Sequence, residues 1–251
     1  MPPNRLPTGP ERPWQPADWP APPDIHAVVT YRHGGVSTGP YASFNLAAHV
    51  GDDPAAVAEN RRRLREGLAL PSEPAWLEQV HGTDLIHLPE PPTTPLRADG
   101  SYTATAGVVC AVLTADCLPV LITDGLIVAA VHAGWRGLAA GILDRALTEI
   151  PWGRPPMIWL GPAIGPGAFE VGPEVRDTFV SQHPALDTAF FPKGERFLAD
   201  LYQIATHLLY RHDIYAVFGG HQCTFRASSH YFSHRRDGTC GRMATLIWRS
   251  A

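Results

Sequence analysis

Cysteine is scarce in this sequence, with four residues among 251 and no CxxC pair. This argues against a disulfide framework and leaves any special cysteine to act as a metal ligand or a nucleophile. Apolar runs are also short. The longest, residues 107–115 and 126–131, fall far below the roughly 18 residues that a membrane-spanning helix needs, so no membrane span is expected.

The chain also has no excess of positive charge. Twenty Lys and Arg residues against 24 Asp and Glu residues give a net charge of −4, which disfavours nucleic acid and anionic membranes as partners. Residues 1–17 contain many prolines and no apolar segment, which excludes a secretory signal. We therefore expect a mobile proline-rich tail over residues 1–17, ordered structure from about Trp19, one domain over residues 18–251 and a cytoplasmic location.

Local patterns predict an early strand and helix. A strand is expected over Ile25–Tyr31, and Asp52 or Asp53 can cap a helix whose first turn contains Pro54. Arg61 falls on the apolar stripe of that helix. Because an unpaired buried guanidinium is costly, Arg61 requires either a structural ion pair or a ligand contact.

A predicted hairpin brings two metal-binding residue types together. The runs 118–123 and 126–131 are strongly apolar and flank Asp124-Gly125, a turn signal. A two-residue loop there places Cys117 opposite His132, on the same face of the sheet. One metal ion can bridge such a pair, but a register slip of one residue would separate the two side chains.

A catalytic zinc site needs a third protein donor, and His81 in the segment 79–84 supplies a candidate. Two other interpretations of the pair stay open. Cys117 is a nucleophile with His132 as its base, or it is an ordinary buried thiol beside a hydrogen-bonded histidine.

An amphipathic helix is predicted after Gly134-Trp135-Arg136, from the apolar residues Leu138, Ile142, Leu143, Ala146, Leu147 and Ile150, and it starts beside His132. Its amide groups, helped by Arg136, are suited to hold an anion such as phosphate.

Several motifs, in order along residues 18–251, resemble the bacterial laccase-domain family, also named multicopper polyphenol oxidase or purine nucleoside phosphorylase. The motifs are TYRHGGVS (30–37), SFNL (43–46), Asn60-Arg61, QVHG (79–82), TADCLP (114–119), VHAGWRGL (131–138), GPAIGPGAFEVG (161–172), Cys223-Thr224 and FSHRRDGTCGR (232–242).

This resemblance implies a four-layer α/β sandwich with mixed β-sheets and a zinc ion bound by His81, Cys117 and His132. It also implies phosphorolysis of adenosine, inosine, guanosine and methylthioadenosine, with an adenosine deaminase side activity. Asn45, Arg61 and Arg136 are then the expected contacts of the nucleoside or phosphate. Two residues depart from the family pattern, His234 for an expected Tyr and Cys240 for an expected Thr. They affect the expected substrate preference and leave the three ligands intact.

Other functions are compatible with parts of the same sequence pattern. The twelve histidines contain no His-x-His pair, which argues against a multicopper cluster, while one copper ion at the zinc site is compatible with the donors. A single-copper polyphenol oxidase, a cysteine- or zinc-dependent hydrolase that edits peptidoglycan precursors, and a non-enzymatic role in division or envelope assembly are the other hypotheses. The sequence does not determine the oligomeric state.

Overall fold

Fifteen strands and six α-helices form in the part of the chain that the computed structural model describes, residues 12–94 and 96–250. The strands are β1 (Trp14–Pro16), β2 (Ile25–Thr30), β3 (Leu77–Glu78), β4 (Leu85–His87), β5 (Leu96–Arg97), β6 (Gly100–Thr103), β7 (Val109–Thr114), β8 (Leu118–Thr123), β9 (Val128–Ala133), β10 (Met157–Leu160), β11 (Glu170–Val171), β12 (Phe190–Lys193), β13 (Arg196–Ala199), β14 (Val217–Gly219) and β15 (Met243–Arg249). The helices are α1 (Pro54–Leu68), α2 (Trp135–Ala139), α3 (Ile142–Glu149), α4 (Pro173–Gln182), α5 (Leu201–Tyr210) and α6 (His234–Asp237). No helix in this part of the chain is long and apolar enough to cross a membrane.

Two large sheets organise the molecule. The four-stranded sheet has the antiparallel order β1-β2-β15-β7. The six-stranded sheet has the order β14-β10-β8-β9-β6-β4, with parallel pairs at its two ends and antiparallel pairs between them. Small sheets of three strands (β11-β13-β12) and two strands (β3-β5) lie outside them. The predicted mixed sheets are therefore confirmed.

Three apolar cores separate four layers. One core packs β8, β9 and β10 against α2 to α5. A second lies between the two large sheets, where β2, β7 and β15 meet β8 and β9. The third packs the outer face of the four-stranded sheet against α1. Because strands of both sheets are covered on both faces, their sequences are nearly continuous apolar runs, and the predicted four-layer α/β sandwich is confirmed.

Regular structure is present before Trp19, the residue at which ordered structure was expected to begin. Residues 1–11 of the predicted tail lie outside the described residues, but β1 pairs with β2 before Trp19 is reached. Pro16 is tolerated because β1 is an edge strand, where a missing N–H costs no ladder hydrogen bond to a second neighbour.

The hairpin register differs from the prediction. In the structure Pro119 is opposite His132 and Thr123 is opposite Val128, so the loop has four residues, 124–127, instead of two. The Asp124 side chain widens the turn by accepting the N–H groups of Leu126 and Ile127, both at 2.8 Å. The shift is two residues along the partner strand, which preserves the face on which each side chain lies.

The amphipathic helix predicted after Gly134-Trp135-Arg136 is not one continuous helix in the structure. It is split into α2 and α3 at Gly141, whose φ of +89° is in the left-handed region that favours glycine. At the other predicted helix start, the expectation is confirmed: Asp53 caps α1 by accepting the N–H of Ala55, and Pro54 is in the first turn.

Candidate metal centre

Three predicted donors converge at one end of the β8–β9 hairpin. His132 belongs to β9, Cys117 directly precedes β8, and His81 is in the loop after β3. One donor atom from each lies within 4.8 Å of the others. Cys117 Sγ is 3.8 Å from His81 Nε2, and the two imidazole rings are nearly perpendicular with centroids 4.8 Å apart. The three side chains can therefore face a single ion.

A buried carboxylate, Asp99, connects the two histidines. Its Oδ1 atom accepts the His81 backbone N–H at 2.9 Å and pairs with His132 Nδ1 at 2.8 Å. Its Oδ2 atom accepts the N–H groups of Val80 at 3.2 Å and Gly82 at 2.7 Å. Because the carboxylate engages Nδ1 of His132, Nε2 is the ring nitrogen left for a metal.

The loop that carries His81 is held in an uncommon conformation. His81 has a φ of +60°, and the three consecutive N–H groups of residues 80–82 all point at Asp99. Just before them, the Gln79 amide donates to the Leu113 carbonyl at 2.9 Å and accepts the Leu113 N–H at 2.7 Å. These bonds attach the loop to β7 and so determine where the His81 ring lies.

Cys117 is positioned by its neighbour Asp116. Asp116 has a φ of +94° and is buried. Its carboxylate accepts the Thr224 hydroxyl at 2.6 Å and the Arg235 N–H at 2.7 Å. Its carbonyl accepts the Ile164 N–H at 2.9 Å. Backbone strain of this kind persists where surrounding contacts fix the conformation, as these three do.

Gly134 leaves room for the three donors. A Cβ at this position would lie 3.1 Å from His81 Cδ2 and 3.2 Å from Cys117 Sγ. The φ of Gly134 is −64°, which any residue can adopt, so the close approach rather than the backbone conformation calls for glycine here.

The electrostatics of the centre favour a thiolate. Burial alone would raise the pKa of Cys117, but hydrogen bonds from His132 and His81 outweigh burial and lower it to about 6. Burial would likewise lower the pKa of His132, but Asp99 and Cys117 outweigh it and raise that pKa to about 9. Near neutral pH the centre thus holds a thiolate beside a positively charged imidazole, and a cation that binds there displaces a proton.

The donors open into a cavity of about 350 Å³. Its lining is rich in basic and imidazole groups and includes no carboxylate among the described residues: His49, Gln79, His81, Leu113, Thr114, Ala115, Cys117, His132, Arg136, His234 and Arg242. A cavity with this lining suits an anion beside the metal donors.

The three predicted substrate contacts occupy different places. Arg136 lines the cavity with an exposed side chain that stacks on Trp135, 4.5 Å from the ring centroid. The helix that begins there, α2, has only five residues, so the side chain and not a long helix dipole has to hold an anion. Arg61 lines a neighbouring cavity instead, which shares His49 and Gln79 with the metal cavity.

Asn45 is fully buried, and its amide bonds to other parts of the protein. Oδ1 accepts the N–H groups of Arg242 at 2.9 Å and Ala47 at 3.0 Å, and Nδ2 donates to Asp52 at 2.9 Å. This places Asn45 behind the cavity wall, where it supports the segment that carries Arg242.

Sequence reasoning missed Asp99, Gln79, His49 and Arg242. Asp99 and His49 belong to none of the motifs quoted above. Gln79 and Arg242 belong to quoted motifs, QVHG and FSHRRDGTCGR, and only that membership pointed to them.

The donor set fits one zinc or one copper ion, because two imidazoles and one thiolate are ligands of both metals. Within residues 12–94 and 96–250, these three side chains are the group of His, Cys, Asp and Glu donors close enough to hold an ion. No second group of three such donors is found in that range.

Comparison with known proteins gives consistent matches along the chain. The profile of a family described as "Multi-copper polyphenol oxidoreductase laccase" matches residues 26–250. A purine nucleoside phosphorylase of Pseudomonas aeruginosa is 51% identical over 94% of this chain and 98% of its own. The purine nucleoside phosphorylase YfiH of Escherichia coli is 50% identical over 92% of this chain and 96% of its own.

Solved structures agree with these matches. A Neisseria meningitidis protein of 44% identity superimposes with a TM-score of 0.89, covering 96% of this chain and 100% of that one. YlmD from Geobacillus stearothermophilus, at 32% identity, has a TM-score of 0.88 over 98% of this chain and 99% of its own.

Proposed function

Since this chain belongs to the multi-copper polyphenol oxidoreductase laccase family, whose curated relatives include purine nucleoside phosphorylases, we propose that it is a zinc-dependent purine nucleoside phosphorylase. The proposed substrates are phosphate and adenosine, inosine, guanosine or methylthioadenosine. A slower deamination of adenosine is proposed as a side activity.

One observation carries the proposal: the donors His81, Cys117 and His132 open into a basic cavity whose described lining has no carboxylate. Phosphorolysis needs a phosphate dianion beside the ribose and stabilisation of the charge that develops on the departing purine. Arg136 and Arg242 provide the positive charge in this cavity. The names of the relatives support the same reaction.

In the proposed reaction a phosphate oxygen attacks C1′ of the ribose, and the bond between C1′ and the purine nitrogen breaks. The purine leaves with the bonding electron pair and takes up a proton, which gives free purine and ribose 1-phosphate. Arg136 and Arg242 bind the phosphate, while Asp99 orients His132 and the loop of His81. His81, Cys117 and His132 would hold the zinc ion, which when bound would supply a Lewis acid for developing negative charge and for water. The deamination adds water at C6 of adenine and releases ammonia, which gives inosine.

Chromatography of a mixture of adenosine, phosphate and metal-loaded protein tests the reaction type. The expected products are adenine and ribose 1-phosphate, with inosine forming more slowly. Adenine released equally fast without phosphate would identify a nucleoside hydrolase instead. No turnover of any nucleoside by metal-replete protein would overturn the proposal and favour the cell-wall editing hypothesis.

The same side chains define a metal-free alternative, in which the Cys117 thiolate is the nucleophile and His132, oriented by Asp99, holds the proton that it took from the thiol as its base. Elemental analysis separates the two mechanisms, because the zinc mechanism requires about one metal ion per chain. Copper in place of zinc would change the identity of the metal and leave the donor assignment intact.

A further inference from the structure

A second cavity adjoins the metal centre. It has a volume of about 460 Å³ and shares His49, Gln79 and Leu113 with the metal cavity. A substrate whose reacting carbon lies at the metal centre can therefore extend past these three residues into the second cavity. Arg61 and Trp76 lie only in the lining of the second one.

Arg61 lies over the Trp76 ring in this cavity, and these two side chains are called the Arg61–Trp76 platform below. The guanidinium carbon of Arg61 is 4.2 Å from the centroid of the Trp76 ring. Arg61 Nε and Nη2 both donate to the carbonyl of Leu46, at 3.0 and 2.9 Å. Trp76 is fixed in turn by its Nε1–H, which donates to Glu73 at 2.6 Å. Both planes are thus held before any ligand arrives.

Arg61 forms no ion pair among residues 12–94 and 96–250; it contacts a carbonyl and an aromatic ring. The carboxylate of Glu73 pairs with Arg65 at 3.7 Å and acts on Arg61 only through a longer-range charge interaction. The sequence predicted an ion pair or a ligand contact for this residue. In the structure its hydrogen bonds go to the Leu46 carbonyl, and Arg61 also lines the cavity, where a ligand can contact it. A planar guanidinium that is fixed in place is a good surface for stacking a nucleobase.

Charge distinguishes the two cavities. Glu78 lines the second cavity, whereas the described lining of the metal cavity has two arginines and no carboxylate. Phosphate therefore favours the metal cavity. The second cavity, with Leu77 and Leu113 among its apolar lining residues and a carboxylate that can accept a purine N–H, suits a neutral heterocycle.

From these observations we infer that the purine base of the substrate stacks on the Arg61–Trp76 platform in the second cavity. The inference rests on the proposed phosphorylase function and separates the roles of two arginines. Arg61 binds the base, and Arg136 binds phosphate.

Steady-state kinetics of the zinc-loaded full-length chain test this division of roles. Arg61→Lys keeps the charge but removes the planar fork, and Trp76→Leu removes the ring that supports it. Each is expected to raise the KM for adenosine and the Kd for free adenine by about fivefold to a hundredfold, the range for losing a stacked base. The KM for phosphate and the zinc content are expected to stay unchanged.

Arg136→Ala is the reciprocal variant, expected to raise the KM for phosphate and leave the Kd for adenine unchanged. Trp76→Phe retains an aromatic ring and should keep most of the affinity for adenine. Thermal unfolding of each variant shows whether it is folded, and if Trp76→Leu fails to fold, Arg61→Lys and Trp76→Phe still test the platform.

The outcomes distinguish this inference from the proposed function. A wild-type protein that binds adenine through Arg61 but turns over no nucleoside would uphold the platform and overturn the phosphorylase proposal. An active wild-type enzyme whose Arg61→Lys variant keeps its KM for adenosine and its Kd for adenine would overturn the platform alone. A raised phosphate KM in Arg61→Lys, with unchanged adenine binding, would also overturn it.

Discussion

Replacing Asp99 by asparagine is expected to weaken zinc binding by about 10- to 100-fold, the usual cost of losing a group that orients metal ligands. Each oxygen of the buried Asp99 carboxylate accepts two N–H donors, one pair from His132 and His81 and the other from Val80 and Gly82. Asparagine has a single acceptor oxygen, so its NH₂ group has to face one of these pairs. Either the His132 ring or the loop of His81 loses its support.

The same change should lower stability. Burial would raise the pKa of Asp99, but the hydrogen bonds from His132 and Gly82 outweigh it and hold this pKa below its ordinary value. The carboxylate therefore stabilises the fold above its unfolded-state pKa, and this contribution is lost as the pH falls through the lower folded-state pKa. Leaving N–H donors unsatisfied costs about 1–3 kcal/mol.

Asp124→Asn provides the matched control. Asp124 is also buried and accepts three backbone N–H groups, from Leu126, Ile127 and Gly153, but it does so at the opposite end of the hairpin. It should lose a comparable 1–3 kcal/mol of stability, as an order of magnitude, without changing zinc affinity.

Competition with a chromogenic chelator measures the zinc affinity of the folded proteins, and urea unfolding measures their stability. Equal affinities in wild type and Asp99→Asn would refute the positioning role of Asp99. A loss of affinity in Asp124→Asn as large as in Asp99→Asn would show that general destabilisation, and not orientation of the ligands, weakens the site.

Three further predictions concern the centre itself. Gly134→Ala should weaken zinc binding, because the new Cβ would crowd two of the donors. Gly153→Ala is the control and should leave zinc binding unchanged, because its Cβ would meet only an Asp124 oxygen at 3.5 Å. Competition with a chelator compares the zinc affinities of the two variants. In metal-free protein, alkylation of Cys117 by iodoacetamide should rise with pH through a midpoint near 6, because the thiolate is the form that reacts. Cys110, whose pKa is raised by burial to about 12, should stay unmodified. Mass spectrometry after a pH series measures both cysteines, and a Cys117 that does not react at pH 7 would contradict its lowered pKa. Cys117→Ser should lose zinc and activity while Cys240→Ser keeps zinc, as elemental analysis can show; equal loss in both would exclude Cys117 as a specific ligand.

Local patterns predicted much of the fold because they act over short distances. The Asp53 cap and the apolar runs of β7 and β8 required no knowledge of tertiary contacts. The convergence of Cys117 and His132 was predicted from a register that was wrong by two residues, and it survived because an even shift keeps both side chains on one face. A shift of one residue would have separated them.

Other parts of the site depend on contacts that sequence spacing does not reveal. Asp99 is 33 residues from His132 and meets it only because the strand after Asp99, β6, pairs with β9. His81 was indicated as the third donor mainly by the family resemblance, since its position depends on the bonds of Gln79 to Leu113 in another strand. The turn at 124–127 has four residues because the Asp124 side chain accepts hydrogen bonds from the backbone of Leu126 and Ile127. The Asp-Gly pair alone predicts a turn and does not determine this loop length.

Reconstitution of metal-free protein tests the central claim most directly. Zinc is added in increments to the chelator-treated full-length chain, and phosphate-dependent release of adenine from adenosine is measured at each step. The proposed mechanism predicts negligible release without zinc and a linear rise that stops at about one zinc ion per chain. Full phosphate-dependent activity in the metal-free protein would contradict it.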